Sequence, residues 1–184
     1  IPSSLQIIGT YAFSNCTGLT SIEVPGTVKT ISDGAFSDCT SLKNVVIKDG
    51  VGSIGNTIFN ECTAIESITI PYAGTNLENV NKADSSMRVR NNLFVNSVKD
   101  KTYSDGNGYH IPNSLKKITI TGGTRIPSNA FKGFSKVTEI VLPESITSIG
   151  NYAFYNCSSM TSANLTNKLV SIGEGAYKGC SSSK

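Results

Sequence analysis

The chain contains 184 residues with a formal net charge of +3, and only 16% of the residues are charged. Because the basic residues do not form an extended stripe, this balance argues against nucleic-acid binding. The sequence holds no apolar run long enough to span a membrane and no signal-peptide or lipidation motif.

An aromatic residue preceded by a small or aliphatic residue returns along the whole chain. We call these aromatics the anchors; they are Phe13, Phe36, Phe59, Phe94, Phe131, Phe154 and Tyr177. Four of the six intervals between them are 23 residues long, and the two that flank Phe94 are 35 and 37. A fixed period in the twenties predicts a solenoid in which each repeat, here called a rung, stacks on the next.

Short β-branched runs lie between the anchors. The runs occupy 19–25, 42–48, 65–71, 115–121 and 137–143. In the first run, Leu19, Ile22 and Val24 are predicted to face the interior, whereas Ser21 and Glu23 face outward. Stacked rungs would align these runs into a parallel sheet on one face of the solenoid.

The second half of each rung contains the anchor. In 30–39, Ile31, Ala35 and Cys39 are spaced four apart, which is typical of one face of a short helical turn. We therefore predict an α/β repeat fold: a leucine-rich-repeat solenoid with a parallel β-sheet on one face and short helical turns or irregular segments on the other.

All five cysteines stand three residues after an anchor, at 16, 39, 62, 157 and 180. Ser97 and Phe134 take the same position in two other rungs, so that position does not require sulfur chemistry. We interpret the column as buried free thiols, because cysteine packs as a small apolar residue and rungs on the outer side of a curved solenoid would be too far apart for a disulfide. A disulfide and a metal or catalytic role are the alternatives.

Two insertions interrupt the regular period, near 72–88 and 98–112. We predict a single solenoid domain over 1–184 with about seven repeats of 23 residues, cut from a longer array. The insertions flank the rung of Phe94, so they are expected to emerge as neighbouring loops, and insertions in solenoids are often on the binding face.

The positive charge is concentrated around this rung. Residues 82–125 contain eight lysines and arginines against three aspartates. The insertions also contribute tyrosines, including Tyr72, which could pack on sugars or protein side chains. The candidate ligand-binding residues are Arg88, Arg90, Lys99, Lys101, Tyr103, Tyr109, Lys116 and Lys117. The outward strand positions form a second candidate surface, neutral and rich in hydroxyl groups.

The pattern in "VTEIVLPESITSIGNYAFYNC" and "MTSANLTNKLVSIGEGAYKGC" resembles the BspA-like, or TpLRR-type, class of leucine-rich repeats. This resemblance covers nearly the whole chain. It implies a secreted or cell-wall-attached extracellular protein that binds host, matrix or neighbouring-cell surfaces, and it supplies no catalytic residue and no defined ligand.

We therefore expect a non-enzymatic binding or adhesion module, a monomer without cofactor, metal or direct membrane insertion. Its expected partner is a protein or glycan, acidic if the basic rung is the site. A catalytic centre is disfavoured because His110, the single histidine, is on an insertion and no paired carboxylates match between rungs. The alternative is a structural spacer that carries another domain away from the cell surface.

Overall fold

The structure is a computed structural model, and it describes residues 1–74, 93–94, 111–162 and 165–181. Apart from Leu93, which is helical, the regular elements within these residues are eleven short strands. They are β1 (Ile7–Ile8), β2 (Ser21–Val24), β3 (Thr30–Ile31), β4 (Asn44–Ile47), β5 (Ser53–Ile54), β6 (Ser67–Ile70), β7 (Lys117–Ile120), β8 (Arg125–Ile126), β9 (Glu139–Val141), β10 (Ser148–Ile149) and β11 (Ser171–Ile172).

The longest strands form one five-stranded parallel sheet in the order β2-β4-β6-β7-β9. Its register joins the inward residues Ile22, Val45, Ile68, Ile118 and Ile140 in one row. Val45, Ile68, Ile118 and Ile140 are buried and Ile22 is half-buried, whereas the outward residues are not buried, because successive side chains of a strand point to opposite faces. The parallel sheet predicted from the sequence is therefore confirmed.

The sheet continues across both insertions without a break. Strand β6 pairs directly with β7, with Ser67 opposite Lys117 and Ile70 opposite Ile120. On the other side of the rung, the Phe59 amide donates to the carbonyl of Leu93 at 2.9 Å, and Phe94 is buried. The rung of Phe94 is thus stacked in sequence with its neighbours, and the single-domain organisation with about seven repeats stays a prediction.

Two further three-stranded sheets precede the anchors. One has the order β1-β3-β5 and the other β11-β10-β8. Their registers align Ile8 with Ile31 and Ile54, and Ile126 with Ile149 and Ile172, all five residues before an anchor. Five of these aliphatics form a second column of the core, as the recurring pattern predicts, whereas Ile172 is exposed.

The anchor segments are successive tight turns instead of the predicted helical turns. In a helix, the amides would bond to carbonyls four residues earlier. Here the Phe36 amide donates to Ile58 O at 2.9 Å and the Asp38 amide to Asn60 O at 2.7 Å, both in the following rung. Residues two before and two after the anchor take positive φ, as at Gly34 (62°) and Asp38 (60°). The irregular-segment form of the prediction describes these turns better.

The anchors stack in columns inside the core. Ring centroids are 5.4 Å apart between Phe13 and Phe36 and 5.7 Å between Phe36 and Phe59. The later column has 5.5 Å between Phe131 and Phe154 and 5.0 Å between Phe154 and Tyr177. Because the aliphatic and aromatic columns belong to one buried cluster, each rung completes the apolar interior of its neighbours.

The cysteine column is a ladder of thiol hydrogen bonds, which the sequence did not predict. Four of the five thiols donate to the carbonyl of the anchor in the preceding rung. The Sγ–O distances are 3.1 Å for Cys39–Phe13, 3.0 Å for Cys62–Phe36, 3.1 Å for Cys157–Phe131 and 3.1 Å for Cys180–Phe154. The cysteines of these rungs therefore combine a small side chain with a hydrogen-bond donor, although Phe134 at the same position shows that the donor is not required.

All five cysteines are free thiols, as predicted. Burial is confirmed for Cys39, Cys62 and Cys157, but it is wrong for Cys16, which is exposed, and Cys180 is half-buried. The argument from wide rung spacing is also wrong, because the turn-side backbones are joined by hydrogen bonds as closely as the strands are.

In the folded protein at pH 8, we expect the buried thiols not to react with a water-soluble thiol reagent, whereas Cys16 reacts. Burial raises the pKa of Cys39 and Cys62 above the ordinary value of 9.0, which suppresses the thiolate. These thiols ionise more readily in the unfolded chain than in the folded one. The free energy of unfolding is therefore retained below about pH 9 and falls as the pH rises above that value. Thiol titration with and without denaturant, and urea unfolding at pH 7 and 10, measure the two effects. Equal labelling of Cys62 and Cys16 in the folded protein would contradict this assignment.

Candidate binding surfaces

The outward residues of the five-stranded sheet form two rows that run from rung to rung. We call Ser21, Asn44, Ser67, Lys117 and Glu139 the first row, and Glu23, Val46, Thr69, Thr119 and Val141 the second row. Strand pairing sets neighbours in a row about 4.8 Å apart. The Ser67 hydroxyl donates to Asn44 Oδ1 at 2.8 Å, so part of the first row is held by side-chain contacts.

Charges on and beside this sheet face are paired between neighbouring rungs. The nitrogen–oxygen distances are 2.5 Å for Lys48–Glu23, 3.3 Å for Lys43–Glu66 and 3.1 Å for Lys117–Glu139. Such exposed pairs add little stability, about 0–1 kcal/mol each. Their effect is to cancel local charge, which leaves the centre of the face neutral, with Val46, Thr69 and Thr119 as its outward groups.

Two of the eight predicted ligand-binding residues lie in the described part of the chain. Lys116 and Lys117 are exposed at the start of β7. The Lys116 ammonium donates to the carbonyls of Asn113 at 2.8 Å and Lys136 at 3.3 Å, whereas Lys117 is paired with Glu139. The remaining six predicted residues lie outside the described residues; they are Arg88, Arg90, Lys99, Lys101, Tyr103 and Tyr109.

The described residues border the insertions at opposite edges of the sheet. Residues 71–74 follow the carboxyl end of β6, and the chain is described again from Ile111, ahead of the amino end of β7. Because all strand carboxyl ends of a parallel sheet meet at one edge, these two borders are separated by the length of a strand. The other two ends of the insertions lie outside the described residues, so their emergence as neighbouring loops stays a prediction.

Tyr72 belongs to the core, which corrects its predicted role as a ligand platform. All four residues of 71–74 are buried, and Tyr72 is only 2% exposed. Its hydroxyl donates to the carbonyl of Val51 at 3.3 Å, and burial raises the pKa of that hydroxyl. The loop of the first insertion thus begins after residue 74.

An open cleft of about 310 Å³ lies at the carboxyl edge of the sheet. Its lining is mainly glycine and aliphatic, from residues Asp49, Gly50, Val51, Gly52, Pro71, Tyr72, Gly122 and Gly123. Asp49 accepts a hydrogen bond from Thr121 Oγ1 at 2.5 Å. Asp49 and Tyr72 are the lining residues with reactive side chains, and their oxygen atoms are engaged with Thr121 and Val51, so the cleft is mainly an apolar recess.

A group of tyrosines on the turn side was missed by the sequence analysis. Tyr152 and Tyr155 meet edge to face with centroids 5.8 Å apart, and the Lys132 ammonium lies 5.2 Å from the Tyr155 centroid. The Tyr152 hydroxyl donates to Glu174 Oε1, and this hydrogen bond to the carboxylate raises the pKa of Tyr152. The signal in the sequence is "YAFYN" (152–156), where the first rung has "YAFSN" (11–15).

Two properties of the described residues bear on metal binding and on membranes. Three or more His, Cys, Asp or Glu side chains do not come together anywhere in that part of the chain in a way that could hold a metal ion. Over the same residues, no helix reaches the length and hydropathy that crossing a membrane requires. His110 lies outside the described residues.

Comparison with known proteins gives a family match and a set of similar folds. Residues 1–99 and 106–184 match, in six copies, the family described as BspA type leucine rich repeat region. No curated protein matches the chain.

Two solved structures have similar folds. A leucine-rich repeat protein from Eubacterium ventriosum is 23% identical with a TM-score of 0.64, over 98% of this chain and 42% of its own. A leucine rich cell surface protein from Faecalibacterium prausnitzii is 24% identical with a TM-score of 0.52, over 97% of this chain and 41% of its own. The chain spans about two-fifths of the length of either structure.

Proposed function

Because the chain belongs to the family of BspA-type leucine-rich repeat regions, we propose that it is a non-catalytic module that binds a protein or glycan on a host, matrix or neighbouring-cell surface. Leucine-rich solenoids are typically binding scaffolds, and their extended sheet faces are the usual docking surfaces. An extracellular location, secreted or wall-attached, is part of the proposal. It draws support from the similar protein that is described as a cell surface protein.

The observation that carries this proposal is the uninterrupted five-stranded sheet with its two outward rows. Rigid strands hold Asn44, Ser67, Thr69 and Thr119 at fixed spacing, so a partner meets a preorganised surface and loses less entropy on binding. The neutral centre favours hydrogen bonding and apolar contact over charge recognition.

Next to this surface, Lys116 supplies a fixed positive charge. Its ammonium is held by two backbone carbonyls, 2.8 and 3.3 Å away, whereas the neighbouring Lys117 is neutralised by Glu139. Lys116 also lies near Ile111, where the second insertion, with Lys99 and Lys101, returns to the sheet. We therefore place an acidic group of the partner at the amino edge of β7.

A structural spacer is the second candidate function. The specific observation in its favour is the rung-to-rung pairing of Lys43 with Glu66 and of Lys48 with Glu23, because paired charges stabilise the array and leave less for a partner. A spacer would not need the basic insertions, and the following experiment separates the two functions.

We expect the chain to be retained on a heparin column at low salt and to elute earlier when its insertions are shortened within 75–88 and 98–110. The buried residues 71–74 and Ile111 stay in place so that the core is kept. Lys116→Gln should also elute earlier, because a cationic contact with the ligand is lost. Lys43→Gln is the matched control, since Lys43 occupies the same strand position but is paired with Glu66. Equal retention of the shortened and parent chains would contradict the binding proposal and favour the spacer.

A further inference from the structure

The repeat provides an internal comparison for every position on the turn side. Immediately after the anchor, the first three rungs carry Ser14, Ser37 and Asn60, whereas the last three carry Lys132, Tyr155 and Lys178. The backbone bonds are the same in both groups, as shown by Asn15 N to Ser37 O and Asn156 N to Lys178 O, each 2.8 Å. Packing of the rungs therefore does not require the long aromatic and cationic side chains of the last three.

Tyr152 is a preorganised aromatic surface in these last rungs. Its ring lies against Gly175, where an added Cβ would come within 2.6 Å of the ring atom Cε1. One edge meets Tyr155 at an interplanar angle of 77°, and the hydroxyl is bonded to Glu174. The side chain is half-buried, so three contacts fix the ring while part of it remains open to solvent. Fixing the ring in advance lowers the entropy lost when a ligand stacks on it.

Charged residues lie on the turn side of the two rungs that neighbour the rung of Tyr152. The Lys132 ammonium lies over Tyr155, and Lys178 is one rung further along the same column. Both lysines belong to the turn side, beyond the buried anchors Phe131 and Phe154 and away from the sheet face. Glu174 offers carboxylate oxygens at the rim of Tyr152. The patch therefore combines an open aromatic surface, hydroxyl groups, an acceptor and two cations.

We propose that the turn-side patch formed by Tyr152, Tyr155, Lys132, Lys178 and Glu174 is a binding site for an acidic saccharide. A sugar ring has an apolar C–H face that suits stacking on Tyr152 and hydroxyl groups that Glu174 can accept from. A carboxylate or sulfate on that sugar meets the lysines. This site is separate from the sheet face and does not depend on the insertions.

The matched control is Tyr11 in the first rung. It has the same positive φ as Tyr152 (55° for both), and its ring lies against Gly34 as that of Tyr152 lies against Gly175. Around it, the position after the anchor carries serine in its own rung and in the next rung, Ser14 and Ser37. A ligand that needs only an exposed tyrosine would bind at both places, whereas an acidic saccharide should select Tyr152.

Isothermal titration of the whole chain with a uronic-acid trisaccharide, its neutral counterpart and a polyglutamate peptide tests the proposal. We expect the acidic trisaccharide to bind and Tyr152→Ala to weaken it about tenfold. The double variant Lys132→Gln/Lys178→Gln should lose the preference for the acidic over the neutral sugar. Tyr152→Phe should keep most of the affinity, which guards against loss of folding in the alanine variant, and Tyr11→Ala should leave it unchanged.

Three outcomes would overturn the proposal: no binding of the acidic trisaccharide to the parent chain, an equal loss in Tyr11→Ala and Tyr152→Ala, or equally tight binding of polyglutamate. The last outcome would identify the patch as a site for acidic peptides. Lys116→Gln should not affect this titration. Because heparin is itself an acidic saccharide, the heparin comparison of parent and shortened chains is made in the Lys132→Gln/Lys178→Gln background, so that failure at the sheet face and failure at the turn side are distinguishable.

Discussion

Replacing Phe36 by alanine is expected to lower the free energy of unfolding by about 3–5 kcal/mol, the usual cost of removing a buried phenylalanine. Phe36 has no solvent exposure and stacks on Phe13 and Phe59 at 5.4 and 5.7 Å. The cavity would be bounded by backbones that hydrogen bonds between rungs hold in place, so collapse around it is limited. Urea unfolding followed by circular dichroism measures the change.

Phe13→Ala is the control for this prediction. Phe13 is the same residue type at the same place in a rung, but it is half-buried, so less apolar surface is lost. We expect a clearly smaller loss of stability, of about half or less of that for a fully buried phenylalanine. Similar losses in both variants would mean that the anchors do not stabilise the protein through stacking on two neighbours.

Gly150→Ala is expected to destabilise the protein by about 1–3 kcal/mol, the usual range for overpacking a close contact. A Cβ at Gly150 would lie 2.4 Å from the backbone nitrogen of Ser128 and 2.8 Å from the carbonyl carbon of Pro127. Both are backbone atoms of the preceding rung, and they cannot turn aside as a flexible side chain could. The melting temperature should fall by about 2–4 °C for each kcal/mol in a chain of this size.

Gly9→Ala supplies the matched comparison, because Gly9 also stands four residues before an anchor. An added Cβ at Gly9 meets nothing within 4 Å. Its melting temperature should stay close to that of the parent chain. If the two alanine variants melt together, close rung contact is not the reason for glycine at this position.

The strand half of the fold could be predicted from the sequence because its signal is local and simple. Alternation in runs such as "SITI" (67–70) separates inward from outward residues, and one period repeated along the chain gives the register. Even the pairing of β6 with β7 across two insertions follows from the repeat, since Ile68 and Ile118 occupy the same place in their rungs.

The turn half of each rung was harder to predict from the sequence, because its backbone hydrogen bonds connect different rungs. The spacing of Ile31, Ala35 and Cys39 fits a helical face, but that spacing does not reveal that the amide of Phe36 bonds to the next rung. Positive φ at Thr57 and Glu61 also has no strong signal in the sequence, since these residue types seldom adopt it. The thiol donors were overlooked because cysteine was considered only as a small apolar group.

Candidate binding residues were the hardest to assign from the sequence. The sequence shows an excess of basic residues near the insertions. The pairing of Lys117 with Glu139, however, depends on strand register and is seen only in the structure. Likewise, Tyr72 and Tyr152 look equally suited to ligands, yet one is sealed in the core and the other lies open beside Gly175. Burial, more than residue type, separates the two.

The hydrogen bonds between anchor turns, such as Phe36 N to Ile58 O at 2.9 Å, also set the distance between neighbouring rungs on the turn side. Solenoids with helices on the outer side bend because packed helices need about 8–10 Å and strands only about 4.8 Å. In the described rungs, backbone hydrogen bonds join neighbours on both sides, so this cause of bending is absent. The length of such an array grows in proportion to the number of repeats. Twenty added repeats would place a domain joined to its end about 100 Å further away.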